Sequence, residues 1–356
     1  MRRGLMLWRE QELSASDVQA RQLRLERAMR SAGLDAFLVY TNHVRSAGVT
    51  YLTGFTPYWA DALLLIVPGQ KPLFATALSK RVGTWIRSVN PTAEIAHSPK
   101  PGRIIGERLA SYGCRRIGVL ELDRLPAGLA EEMTSVAAFD FLDGSHLFAD
   151  VRSERDEREL NLVRQADILA TQALNAVDPT SGHLGEMLGR LERAAREAGA
   201  EECYVAVAPD LGRDHRLGRL AHAAPGETFA IRLSLAYNGV WTRRTKTFSR
   251  NPDLQARLNK VEDTFERLSS GFDPETPLSD QFSERSEATG ITLVDWRLEA
   301  PHGTLPLVQI AGKEHDTVLR IPYGVLSATF DLDHMIMLAA GPVGLNSSKE
   351  VREVAA

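Results

Sequence analysis

Cysteine is scarce: the 356-residue chain has two, Cys114 and Cys203, far apart and in no metal-binding spacing. That argues against a disulfide scaffold or a cysteine-based metal knuckle, and the expectation is two buried free thiols in a reducing compartment. Long apolar runs are also missing. No stretch of about 18 apolar residues occurs. The N-terminal MRRGLMLWREQELS carries an arginine pair, but its apolar stretch is broken at Arg9 and Glu10 and is too short for a secretory core. No membrane partner is expected, and the chain reads as cytoplasmic. An excess of one charge is lacking too. Lys and Arg number 42 against 46 Asp and Glu, a formal net charge of -4, so no global basic field draws the chain to nucleic acid. Internal repeats and low-complexity segments are absent.

What is present fits a globular protein: 44% hydrophobic and 25% charged residues, and length enough for two cores. The expected division is 1–151 and 152–356. In the first part, Ser14 or Ser16 can cap a helix with apolar positions Val18, Leu25, Ala28 and Met29, and Gly33 stops it. Asp35 to Tyr40 reads as a buried strand. Asp61 to Val67 and Pro72 to Thr76 form a hairpin about the turn Pro68-Gly69-Gln70-Lys71. Helices near Lys80 to Ser88 and Ile104 to Tyr112 and a strand at Ile117 to Leu120 follow, which predicts an α/β domain ending near Asp150. A helix from Glu154 to Ala176, with the stripe Leu160, Val163, Ala166, Ile168 and Leu169, opens the second part. A helix from Gly182 to Ala198 comes next. From Tyr204 the pattern turns strand-rich, which predicts an α+β domain with an antiparallel sheet.

Within RQLRLERAMRSAGLDAFLVYTN, the segment YLTGFT and the Pro-Gly hairpin, the order of elements resembles the N-terminal domain of the creatinase/aminopeptidase P family. VRSERDERELNLVRQADILA resembles that family's linker helix into the "pita-bread" catalytic domain shared by prolidase, aminopeptidase P, methionine aminopeptidase and creatinase. The likeness covers nearly the whole chain. It implies an α/β creatinase-like domain followed by an α+β pita-bread domain.

It also implies a pair of divalent ions held by two Asp, one His and two Glu, which generate hydroxide from water. Here the matching stretch is GETFAIRLSLAYNGVWTRRTKTF, with Asn238-Gly239 at its turn. The two Asp positions fall on Arg232 and Arg243. In GITLVDWRLEAP, Gly290, Glu299 and Pro301 match, while Ile291 and Leu298 stand at histidine positions. The Glu positions fall near Ala328 and on Asp333. The expectation is a site without metal and without other cofactors. The segment between Phe248 and Gly290 is short for the family, as though a helix were trimmed there.

His215 lies eleven residues before Gly226, where creatinase carries a histidine that acts as base. An imidazole there can act as general acid or base; the plain alternative is an exposed loop histidine. Alternation in AIRLSLAY puts Arg232 and Ser234 opposite Ile231, Leu233 and Leu235. Inward guanidiniums need anions, met either by a carboxylate ligand or by internal pairing to Asp333 or Glu299. Glu299 is a candidate catalytic group or a turn residue, and His302 is a further substrate-binding candidate. Arg213, Arg216, Arg219, Arg243, Arg244 and Lys246 gather around an acidic ligand or form a solvated face. Trp59, after YLTGFT, marks a segment that in the family reaches a neighbouring subunit.

Three functions remain open. One is a metal-independent hydrolase of a small carboxylate-bearing C–N substrate. The second is a non-catalytic subunit that completes the site of a metal-bearing paralogue, so that the chain is a homodimer or a heterodimer with a related subunit. The third is a binding protein for a small anion. Fold alone does not choose among them.

Overall fold

The computed structural model describes residues 9–56, 60–219, 223–272, 276, 280–281, 291–300, 308–312 and 323–345. The described chain forms two compact units that divide between Arg158 and Glu159.

The first unit begins with α1 (Ala15–Ser31). Ser14 caps it reciprocally: its hydroxyl accepts from the Asp17 amide at 3.1 Å, and the Asp17 carboxylate accepts from the Ser14 amide at 2.9 Å. Val18, Leu25 and Met29 are buried along one stripe, and Gly33 turns the chain with φ +64°. β1 (Ala36–Thr41) follows, then α2 (Ala47–Thr53), which ends at Gly54 with φ +71°. β2 (Ala62–Ile66) and β3 (Leu73–Thr76) pair antiparallel as the expected hairpin. α3 (Gly83–Val89), β4 (Glu94–His97), α4 (Pro101–Ser111), β5 (Arg116–Leu120), α5 (Ala127–Thr134), β6 (Asp140–Asp143) and α6 (Ser145–Ser153) complete the unit. The sheet runs β4-β3-β2-β1-β5-β6. Phe37 and Val39 of β1 enter one core with α1, α2, α3 and α6, while Ala36 and Leu38 enter a second with α4 and α5. Both faces of the sheet are therefore covered, which explains why its central strands read as unbroken apolar runs.

In the second unit, α7 (Glu157–Asn175) and α8 (Leu184–Glu197) lead into β7 (Glu202–Ala208), β8 (Thr228–Tyr237) and β9 (Val240–Ser249). The β8–β9 turn is the expected Asn238-Gly239, with φ of +49° and +77°, a pair of left-handed residues that closes a two-residue hairpin. α9 (Pro252–Ser270), capped by Asn251, fills much of the segment after Phe248. Its 19 residues pack on the sheet through Leu258, Val261, Phe265 and Leu268, and most of the remainder up to Gly290 lies outside the described residues. β10 (Thr292–Ala300), β11 (Val308–Gly312), β12 (Gly324–Leu332) and β13 (Met335–Val343) follow. The sheet order is β11-β10-β12-β13-β9-β8-β7, antiparallel throughout.

Helices cover one face of this second sheet. Phe229, Ile231, Leu233 and Leu235 of β8 pack beneath α7 and α8. Ile168, placed in the α7 stripe from sequence, is corrected: it is 49% exposed, one residue off a stripe that Ala166, Leu169 and Ala170 carry. No helix among the described residues is long and apolar enough to cross a membrane.

Candidate functional site

The other face of the second sheet holds a cavity of about 470 Å³. Strand alternation decides which side chains reach it. On β8, Arg232 and Ser234 point away from the helices. Ser234 pairs in register with Arg243 of β9, and Arg232 with Thr245, so the two arginines are diagonal neighbours on one face. On β10, Asp295, Arg297 and Glu299 line the cavity while Trp296, Leu298 and Ala300 are buried behind it. Between these strands the floor is made of small groups from β12 and β13, including Ser327, Thr329 and Ala339. Thr247 ties β9 to β13, donating to the Leu338 carbonyl at 2.9 Å and accepting from its amide at 3.0 Å.

Arg243 and Glu299 form an ion pair across this concave face. Arg243 is 8% exposed and Glu299 14%. β12 and β13 lie between their strands, so the pair bridges roughly 14 Å of sheet, which the curl of the sheet brings within reach. Ser234 accepts from Arg243 Nε at 3.0 Å, which fixes the guanidinium plane. Of the two internal partners considered from sequence, Glu299 is the one that pairs.

Arg232 differs. Half-buried and lining the cavity, it meets no hydrogen-bond or ion-pair partner among the described residues. Burial, then the like charge of Arg243, push its pKa below the ordinary guanidinium value, and Glu299 opposes them in part. Arg297 sits on the rim with Asp295 at 3.7 Å. His215 and Arg216 come from the 209–218 loop, where Arg216 is clasped by Asp214 at 2.8 Å. That clasp draws the Asp214 carboxyl down to about 2. The loop is seated by Gly226: a Cβ there would meet the Asp210 carboxyl carbon at 2.6 Å, and Asp210 caps the Gly212 amide at 3.1 Å.

The structure therefore gathers His215, Arg232, Arg243 and Glu299, all named from sequence, in one cavity. Asp333 is corrected. It sits in the β12–β13 turn at φ +52°, 84% exposed and paired with Arg257 at 2.7 Å, outside the cavity lining. A two-residue turn carries it past the end of the sheet, which an ungapped alignment does not reveal. His302 and Trp59 lie outside the described residues. The basic cluster is split. Arg244 pairs with Asp167 and Glu266, and Lys246 with Glu262 at 2.9 Å, all on the helical face. Asp295 and Arg297 were missed. Their signal was available in DWRLEA, where charged and apolar residues alternate as a half-buried strand requires.

The residues present do not fit a pair of divalent ions. Two guanidiniums stand where the resemblance implies carboxylates, and Glu299 is occupied by Arg243. Leu298 is buried in the core under α9 with Ile291 packed against that core. Among the described residues, no group of three or more His, Cys, Asp or Glu could hold a metal ion.

Against solved structures, the chain has the fold of X-Pro peptidases. It is similar to an X-Pro aminopeptidase from Thermotoga maritima at 16% identity and TM-score 0.68, covering 92% of this chain and 97% of that one. A prolidase from Pyrococcus horikoshii gives 14% and 0.65, covering 92% and 96%. An Xaa-Pro dipeptidase from Bacillus anthracis gives 17% and 0.63, covering 91% and 93%. No curated protein matches the sequence. Residues 21–153 match the Creatinase/Prolidase N-terminal domain, so the first unit belongs to that domain family. The second unit completes the creatinase/aminopeptidase P fold, and its described residues hold no group of His, Cys, Asp or Glu that could bind a metal ion.

Proposed function

We propose that the second domain binds a small carboxylate-bearing molecule, with Arg232 as its anchor. The observation that carries this is the Arg232 guanidinium in the cavity, which has no hydrogen-bond or ion-pair partner among the described residues. A half-buried cation beside a second arginine is costly unless an anion joins it, and a carboxylate can accept two parallel hydrogen bonds from one guanidinium. Two further features support the reading: the small-residue floor leaves room for a ligand, and Arg243 is held rigid by Ser234 and Glu299.

The test is a thermal-shift and calorimetric screen with acetate, propionate, butyrate and benzoate. At a hundredfold excess over Kd, stabilisation of about 2.7 kcal/mol is expected, a rise of roughly 5–10 °C in Tm. Arg232→Met should abolish the rise while leaving the free protein equally stable or slightly more so, because it removes a repelled charge. An R232M protein that responds to the same acids as strongly as wild type would sink the proposal.

A second reading, favoured by His215 on the same cavity, adds catalysis. His215 would shuttle a proton during metal-independent hydrolysis of a C–N bond in the anchored molecule. Purified wild type should then turn over a carboxylate-bearing amide or amidine, and His215→Ala should lower kcat by about 10²–10⁴-fold. Absence of turnover by wild type rules this reading out and leaves the binding function intact.

A further inference from the structure

The charges around the cavity cancel in pairs, with one exception. Arg216 is matched by Asp214, Arg297 lies beside Asp295, and Arg243 is matched by Glu299. Arg232 is left over among the described residues. One carboxylate on Arg232 therefore neutralises the site. A second would enter beside Glu299, whose carboxylate already lies against Arg243.

Resting on the binding function above, we propose that Glu299 is the residue that restricts the cavity to singly charged carboxylates. It acts as a built-in second anion: it occupies Arg243 in the place a dicarboxylate's far end would take. Arg232 and Arg243 are diagonal neighbours on adjacent antiparallel strands, a spacing of about 7–8 Å between backbones. Both side chains line one cavity, so a short dicarboxylate lying across them would offer one carboxylate to each. Glu299 keeps this two-cation clamp from forming. Asp295, on the rim and 43% exposed, reinforces the rejection less strongly because solvent screens it.

The experiment measures Kd by calorimetry for propionate against malonate and for butyrate against succinate, pairs matched in chain length. Wild type is expected to favour each monocarboxylate by tenfold or more. Glu299→Gln keeps the side-chain shape but frees Arg243, and should narrow or reverse that preference by at least tenfold. Asp295→Asn adds the same net charge but leaves Arg243 paired, and should change the ratio less than threefold. The double variant R243Q/E299Q removes both members of the pair, so no second cation is freed, and it should move the ratio by less than the tenfold expected of E299Q, which decides the matter if E299Q does not fold. An unchanged ratio in folded E299Q, a dicarboxylate preference in wild type, or a shift of tenfold or more in the double variant overturns the proposal. Monocarboxylate binding by wild type with an unchanged E299Q ratio leaves the binding function standing. Binding of neither class by wild type overturns both.

Discussion

Arg243 and Glu299 show what a buried pair costs when it is cut. Removing one partner leaves a charge in a site less than a sixth exposed, and such truncations destabilise by about 3–5 kcal/mol. Arg243→Met is expected to fall in that range by urea denaturation, while R243M/E299L should return most of the loss, since apolar replacement of a whole pair is often neutral. Equal losses in the single and double variants would show that packing, not charge, is at stake. The thiols give a second check. Burial pushes the Cys203 thiol up to about 12, so it should resist a thiol reagent in the folded protein and react on unfolding. At this scale the sequence was informative wherever alternation along one strand suffices. The facing of Arg232 away from Ile231 and Leu233 follows from the period of two alone. Pairing between Arg243 and Glu299 does not, because it depends on the curl of a sheet with two strands lying between. Asp333 failed for a related reason: alignment places a residue along the chain but does not say whether a hairpin turn has carried it beyond the sheet's end.

Elements with strong local signals were legible in advance. The Ser14 capping box, the Asn238-Gly239 hairpin and the Pro68-Gly69 turn each bring two segments together through chemistry contained in a few residues. Ser14→Ala should cost about 1 kcal/mol, the usual loss when a helix N-cap is removed. α9 was not legible, although Asn251, Pro252 and Asp253 form a proper helix start. β4 and β6 also passed unseen. They have four residues each and lie at the sheet's edges, where none of their residues is fully buried and apolar periodicity is weak. α9 matters because its Phe265, 1% exposed, meets Phe330 edge-on at 6.1 Å and backs the strands that form the cavity floor. Phe265→Ala should lower stability by about 3–5 kcal/mol. It should also weaken carboxylate binding by loosening β12, although Phe265 does not line the cavity. Unchanged affinity in a destabilised F265A protein would show that the floor does not need this support.

At the scale of the whole molecule, acid should weaken the first unit through carboxylates whose charged form its fold stabilises. Glu94 is held below its ordinary value chiefly by Arg108, which meets both its oxygens at 2.9 and 3.0 Å. Asp35 is lowered by accepting from the amides of Arg116 and Arg115. Burial works against the charge of Asp17, but the Ser14 hydrogen bonds and Arg158 outweigh it. Each group has a lower pKa folded than unfolded, so near pH 4 the unfolded chain binds more protons and stability rises with pH. The stabilisation is complete above the unfolded values, about 3.9 for Asp and 4.3 for Glu, and drains away as pH falls through the folded ones. The urea midpoint should accordingly be level above about pH 5 and drop below pH 4. Arg108→Ala removes the cause of the Glu94 shift, so its midpoint should start lower and fall less steeply in acid. The two units offer separate reporters, since Trp85 lies in the first and Trp241 and Trp296 in the second. With Trp241 and Trp296 changed to Phe, the remaining emission should follow the acid transition, and Arg108→Ala should shift it. A protein with Trp8, Trp59 and Trp85 all changed to Phe, followed through Trp241 and Trp296, should show no change on adding R108A. A response of equal size in both reporters would mean that the units unfold as one and that the Glu94–Arg108 pair acts on the whole chain.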